Sequence, residues 1–138
     1  MRRTGVFALS VLMGGIVFCL ISAQIGIAQQ SPIKRTDLLE TDLPELGDKE
    51  MHVWVADVAP GAATGRHSHS TPRFVYVLEG SVILEMDGRP PQTFKTGQAF
   101  VESANTLHNF RNASTTEPAR ALGFQYASKG QPLQVNAP

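Results

Sequence analysis

The stretch from Gly61 to Gly80 constrains this chain most. It sets His67 and His69 one residue apart, follows them with a short polar turn, and then runs apolar from Phe74 to Leu78 before Glu79-Gly80. In a β-strand, residues i and i+2 share a face. Both imidazoles can therefore aim at one point, starting about 7 Å apart along the strand. Imidazole binds Zn, Cu, Fe and Ni. The pair is either half of a metal site or two exposed loop histidines, and the dipeptide spacing alone does not choose between them.

The chain has four histidines: His52, His67, His69 and His108. His108 lies in a second segment, Gly97 to Asn112, which also opens an alternating apolar run after a polar turn. His52 falls in neither segment and reads as structural or exposed. Together the two segments resemble the paired motifs of the cupin superfamily. Gly61, His67, His69 and Gly80 stand at the spacing of the first motif, and Gly97, His108 and Asn112 at that of the second. The resemblance covers residues 53–128. It implies a jelly-roll β-barrel with His67, His69 and His108 as ligands of one divalent transition metal (Mn, Fe, Ni, Cu or Zn). It also implies dioxygenation, isomerisation, decarboxylation or similar chemistry on a small organic molecule, and a homodimer.

The sequence departs from the family pattern at three positions. Arg73 stands where the family carries its Glu ligand, and Ser103 and Asn105 replace a Pro and a Gly. Asn tolerates a left-handed backbone, so a turn at Asn105 is retained. A guanidinium cannot ligate a metal. Arg73 can swing outward and leave a three-histidine site, or it can be a solvated arginine at a turn end. It can also point inward, where its charge opposes a cation by several kcal/mol at about 4–6 Å and its fork suits a carboxylate ligand. Glu102 shares a strand face with Phe100 by alternation. It pairs with Arg73, replaces the missing carboxylate ligand, or is an exposed strand-end residue. Tyr76, Gln125 and Tyr126 line a pocket or belong to the core. No general acid or base is identifiable. The two function classes are a metal-dependent cupin, dioxygenase-like or isomerase-like, and a metal-free module that holds a small anion with Arg73.

The N-terminus reads as a targeting segment. Arg2 and Arg3 precede a nearly unbroken apolar run, Val6 to Ala23, and Gly26-Ile27-Ala28 offers small residues at a cleavage site. Residues 1–28 are thus expected to be a secretory signal peptide and the protein periplasmic or secreted. If uncleaved, the run is a membrane anchor at the lower edge of spanning length. Cleavage after Ala28 leaves 110 residues with 10 Lys and Arg against 12 Asp and Glu, and no cysteine, because Cys19 is the sole one. Disulfides, cysteine-ligated zinc and cysteine nucleophiles are excluded from that product. No basic excess points to nucleic acid.

For the rest, residues 29–52 are expected to form an N-terminal arm with a short strand near Ile33–Leu39 followed by a loop, and residues 53–128 the β-barrel. Strand formers run from Met51 to Ala59, Asp87-Gly88 marks a hairpin, and Ala119–Ser128 makes the last strand. The tail 129–138 is expected to be irregular. Short strands between regular turn signals give an all-β fold without reference to any family.

Overall fold

The computed structural model describes residues 32–138. The expected signal peptide, residues 1–28, lies outside the described residues. Ten strands follow in order: β1 Ile33–Leu43, β2 Lys49–Val58, β3 His67–Ser68, β4 Arg73–Glu79, β5 Ser81–Met86, β6 Gln92–Lys95, β7 Ala99–Glu102, β8 His108–Asn112, β9 Ala119–Ser128 and β10 Val135–Asn136. They form two five-stranded sheets, ordered β1-β2-β9-β4-β7 and β10-β3-β8-β5-β6. Among the described residues, no helix is long and apolar enough to cross a membrane.

The expected jelly-roll β-barrel does not form. Among the described residues, each sheet keeps two open edges, β1 and β7 in one and β10 and β6 in the other, and no strand pairing joins the sheets. Closure needs edge strands that pair on both sides. The edge strands β6 and β7 are four residues each, and each is hydrogen-bonded to one neighbour only. Turn spacing shows that strands are short and antiparallel, but it does not show whether their sheets close.

Two further expectations are corrected. The arm carries an 11-residue strand through Leu43, not a short strand and a loop, because its backbone pairs with β2 of the same chain from Ile33↔Val58 to Leu43↔Lys49. The irregular tail contains β10, which pairs with β3 at Val135↔Ser68 and Asn136↔His67.

Register places the chemistry. Across the first sheet, one row reads Glu40, His52, Gln125, Arg73, Glu102 from β1 to β7. The next row of β2, β9, β4 and β7 reads Trp54, Gly123, Val75, Phe100, and the one beyond it Ala56, Ala121, Val77. The sheet's inner face therefore grades from polar to small and apolar. The opposing sheet has the matching gradient: Met86, His108 and His67 share a row, Leu84 pairs with Phe110, and Val82 with Asn112. Stacked on each other, the apolar rows make the core of Val58, Val75, Val77, Val82, Leu84, Met86, Phe100 and Phe110. Each such side chain contributes about 1.5–3 kcal/mol when fully buried. The polar rows face each other at one end.

Asn112 locks the apolar end. Its side-chain amide donates to the carbonyls of Val58, Ala59 and Glu117, and its Oδ1 accepts from the Ser114 N–H. The turn at Asn105 is left-handed, with φ 54°, the sole positive φ of a non-glycine residue among those described. Its N–H donates to the His69 carbonyl at 2.7 Å.

Gly123 makes room for Trp54. A Cβ at that position would lie 2.5 Å from the indole carbons Cε2 and Cζ2. Real atoms do not approach so closely, so Trp54 lies where its cross-strand partner has no side chain. Gly123→Ala is expected to destabilise the fold by about 1–3 kcal/mol through overpacking. Trp54 is the chain's one tryptophan, so its fluorescence in a urea titration reads both the shifted midpoint and the displaced ring. An unchanged midpoint and spectrum would show that the indole is not held there.

Candidate metal centre

His67 is on β3, His69 follows it, and His108 opens β8, where it is the cross-strand partner of His67. The three rings converge: centroid separations are 4.9 Å for His67–His69, 4.4 Å for His67–His108 and 4.8 Å for His69–His108. Glu102, the last residue of β7, reaches them from the other sheet. All four side chains are buried, and their ligand atoms lie within 4.8 Å of one another.

The hydrogen bonds set the tautomers. Nδ1 of His67 faces the Gly65 carbonyl at 2.9 Å, Nδ1 of His69 the Leu133 carbonyl at 2.8 Å, and Nδ1 of His108 the Thr106 carbonyl at 2.8 Å. A carbonyl can only accept, so each Nδ1 carries the proton and each neutral ring turns an Nε2 lone pair inward. The inward atoms then meet acceptor to acceptor. His69 Nε2 lies 3.1 Å from His108 Nε2 and 3.1 Å from Glu102 Oε2. His108 Nε2 lies 3.5 Å from the same oxygen. His67 Nε2 is buried with no hydrogen-bond partner at all.

A positive centre resolves this arrangement, either a shared proton or a metal ion. The donor set fits a metal. Ligand atoms about 2.1 Å from a common ion sit about 3.0 Å apart at octahedral angles and about 3.4 Å apart at tetrahedral ones. The separations among His69, His108 and Glu102, 3.1 and 3.5 Å, match that range, and the His67 ligand atom lies within 4.8 Å of the others. Nδ1–H donation to a backbone carbonyl is also how metal-bound imidazoles are usually oriented.

Arg73 and Glu102 are directly paired across β4 and β7. Arg73 points inward and is buried. Its Nη1 lies 3.6 Å from Glu102 Oε2, its Nε donates to Gln125 Oε1 at 3.0 Å, and its Nη2 donates to the Leu133 carbonyl at 3.4 Å. Burial lowers its pKa to about 10, against the raising pull of Glu102, so it stays charged at neutral pH. Burial would raise the Glu102 pKa, but a proton shared with His108 or His69 and the charge of Arg73 outweigh that and lower it to about 2. Burial also works against a charged His108. The Glu102 hydrogen bond, the Thr106 carbonyl and the Glu102 charge prevail, and its pKa is raised.

The remaining residues fall into place around this centre. Gln125, expected either to line a pocket or to belong to the core, bridges Arg73 to the tail: it accepts from Arg73 Nε and donates to the Leu133 carbonyl at 3.0 Å. Leu133 was legible neither by motif nor by residue type, since it acts through its backbone. Tyr76 is not brought to the site. It lies on the outer face of the sheet with Phe74 and Val101, all three partly exposed. His52 is buried in the same row as Arg73 but pairs with Glu50 at 3.1 Å, away from the histidine cluster.

Beside the centre lies a cavity of about 420 Å³. Arg73, Glu102 and Leu133 line it together with Trp54, Val75, Phe110 and Ala121. The small residues Ala56 and Ala63 also line it.

The sequence profile of the family described as Cupin domain matches residues 54–124. A curated relative, the beta-alanine degradation protein BauB of Pseudomonas aeruginosa, is 41% identical over 61 residues, which are 43% of this chain and 64% of that protein. The chain thus spans somewhat less than two thirds of that relative's length. Among solved structures, the DMSP lyase DddQ from Ruegeria pomeroyi aligns with a TM-score of 0.61 at 18% identity, over 83% of this chain and 56% of that one. A recombinant oxalate oxidase in complex with glycolate aligns with a TM-score of 0.59 at 20% identity, over 79% and 57%. These likenesses carry the fold.

The buried rings predict a pH dependence. Burial, together with the charges of His108 and His69, pushes the His67 pKa from 6.5 down to about 4, although the Gly65 carbonyl and Glu102 pull it up. The unfolded chain therefore binds a proton at His67 between these pH values while the folded chain does not. Stability of chelator-treated protein should fall as pH drops from 6.5 to 4. Urea midpoints measured across that window check this. His67→Asn should flatten the slope, and an equal slope in the variant would remove His67 as its source.

Proposed function

Because the chain belongs to the cupin domain family, we propose that it holds one divalent transition metal on His67, His69, His108 and Glu102 and binds or transforms a small organic molecule in the adjoining cavity. The observation that carries this reading is the convergence of three Nε2 atoms and a carboxylate in a buried site, with each Nδ1 held by a backbone carbonyl. A metal in such a site acts as a Lewis acid, with positions open to water or ligand.

The chain's own residues supply the rest. Glu102 replaces, from β7, the carboxylate that the family pattern places at position 73, and its charge offsets that of Arg73. The pairing with Gln125 and the Leu133 carbonyl fixes the guanidinium, which would otherwise oppose a cation. The cavity walls offer Trp54 and Phe110 to the apolar body of a ligand. A dioxygenase-like or isomerase-like reaction suits such a site, and the glycolate complex of the similarly folded oxalate oxidase is a precedent for a small oxygenated ligand. The signal-like N-terminus supports action in the periplasm or outside the cell. The exposed apolar strip of Phe74, Tyr76 and Val101 supports a homodimer.

One observation favours a second reading, a metal-free module for a small anion: Arg73 itself lines the cavity. Elemental analysis separates the two. The purified protein should carry about one equivalent of Mn, Fe, Ni, Cu or Zn. His67→Ala/His69→Ala should lose it, and Glu102→Gln should weaken retention roughly tenfold or more. No bound metal after incubation with salts of all five would overturn the metal reading and leave the anion module.

A further inference from the structure

The cavity has a second arginine that neither motif contains. Arg35 lies on β1, outside the span matched by the family. It lines the cavity, and its guanidinium carbon sits 4.1 Å from the Trp54 ring centroid. Trp54 also carries Arg73, at 4.9 Å. The two guanidinium carbons are thus no more than 9.0 Å apart, with one indole between or beside them.

The two arginines differ in what they have left to give. Arg73 is buried and committed to Glu102, Gln125 and Leu133. Arg35 is about one third exposed and uses only Nε, which donates to Asp37 Oδ1 at 2.6 Å. Among the described residues its two Nη groups meet no acceptor. Asp37 engages only the Nε side of the guanidinium and does not line the cavity, so among the described residues the paired Nη–H edge has no acceptor. That edge matches a carboxylate in bidentate geometry.

Charge and shape agree on the ligand. Among the described residues, Arg35, Arg73 and Glu102 are the charged residues that line the cavity, a net charge of +1 on its lining, with Asp37 beside Arg35 as a partly exposed counter-ion outside it. Ile33, Trp54, Ala56, Val75, Phe110 and Ala121 supply an apolar interior. The geometry points to a small monocarboxylate with a compact apolar body as the ligand of this cavity, with Arg35 as the residue that binds its carboxylate at the mouth. This inference rests on the reading of the cavity as the ligand site, but not on the metal, because Arg35 contacts none of the four donors.

Calorimetric titration with benzoate and hexanoate, and with benzamide and hexanol as neutral counterparts, tests it. The metal content of each protein is measured alongside. The wild type should bind at least one carboxylate and discriminate against its neutral counterpart. Arg35→Gln should lose about tenfold or more of that affinity with unchanged metal content and an unchanged melting midpoint in the absence of ligand. Arg35→Lys should fall between, since it keeps a charge but lacks the fork. Carboxylates that bind Arg35→Gln as they bind the wild type, neutral analogues that bind equally well, or no carboxylate binding at all would overturn the proposal. A protein that holds no metal yet loses carboxylate affinity in Arg35→Gln would refute the metal reading and leave the Arg35 assignment standing.

Discussion

Three imidazole lone pairs and a carboxylate brought within 4.8 Å of one another repel unless something positive lies between them. Much of the polar end of this fold is arranged around that constraint. Three backbone carbonyls, at Gly65, Thr106 and Leu133, hold the rings by their Nδ1–H groups, so the rings cannot turn away. The facing rows of the two sheets set the distance, with His67 and His108 from one and Glu102 from the other. The apolar rows behind them form the core that clamps the sheets together.

Arg73 and Glu102 show how the arrangement accommodates a change. The family pattern puts a carboxylate on β4; here β4 carries a guanidinium, and the carboxylate stands at the directly paired position of β7. Because cross-strand partners on one sheet face are immediate neighbours, the carboxylate still reaches the histidines. The arginine gains a counter-ion where an unpaired buried charge would be costly. Desolvation of the pair is offset by hydrogen bonds to Gln125 and to the Leu133 carbonyl.

Part of the site was legible from strand periodicity, and the convergence of His67, His69 and His108 from the resemblance to the paired cupin motifs. The His67–His69 spacing gives one shared face, alternation puts Glu102 with Phe100 inside, and a left-handed Asn105 is where a glycine is replaced. What was not legible depends on non-local pairing. Closure of the sheets cannot be read from turn spacing, and the barrel expectation failed there. The full length of β1 comes from β2, not from the polar sequence of the arm. The tail looked irregular because Leu133 contributes only its carbonyl, which has no signature in residue type. Tyr76 shares the alternation of β4 but on the outward phase, opposite to Arg73.

The central claim is that Glu102, and not a residue of β4, completes the metal site. A crystal structure of the metal-loaded protein, with anomalous scattering recorded at the edge of the bound element, tests it most directly. The account predicts one anomalous peak about 2.0–2.2 Å from the Nε2 atoms of His67, His69 and His108 and from one Glu102 oxygen. A peak held by the histidines alone, with Glu102 turned to Arg73, or no peak within the cluster, would contradict it.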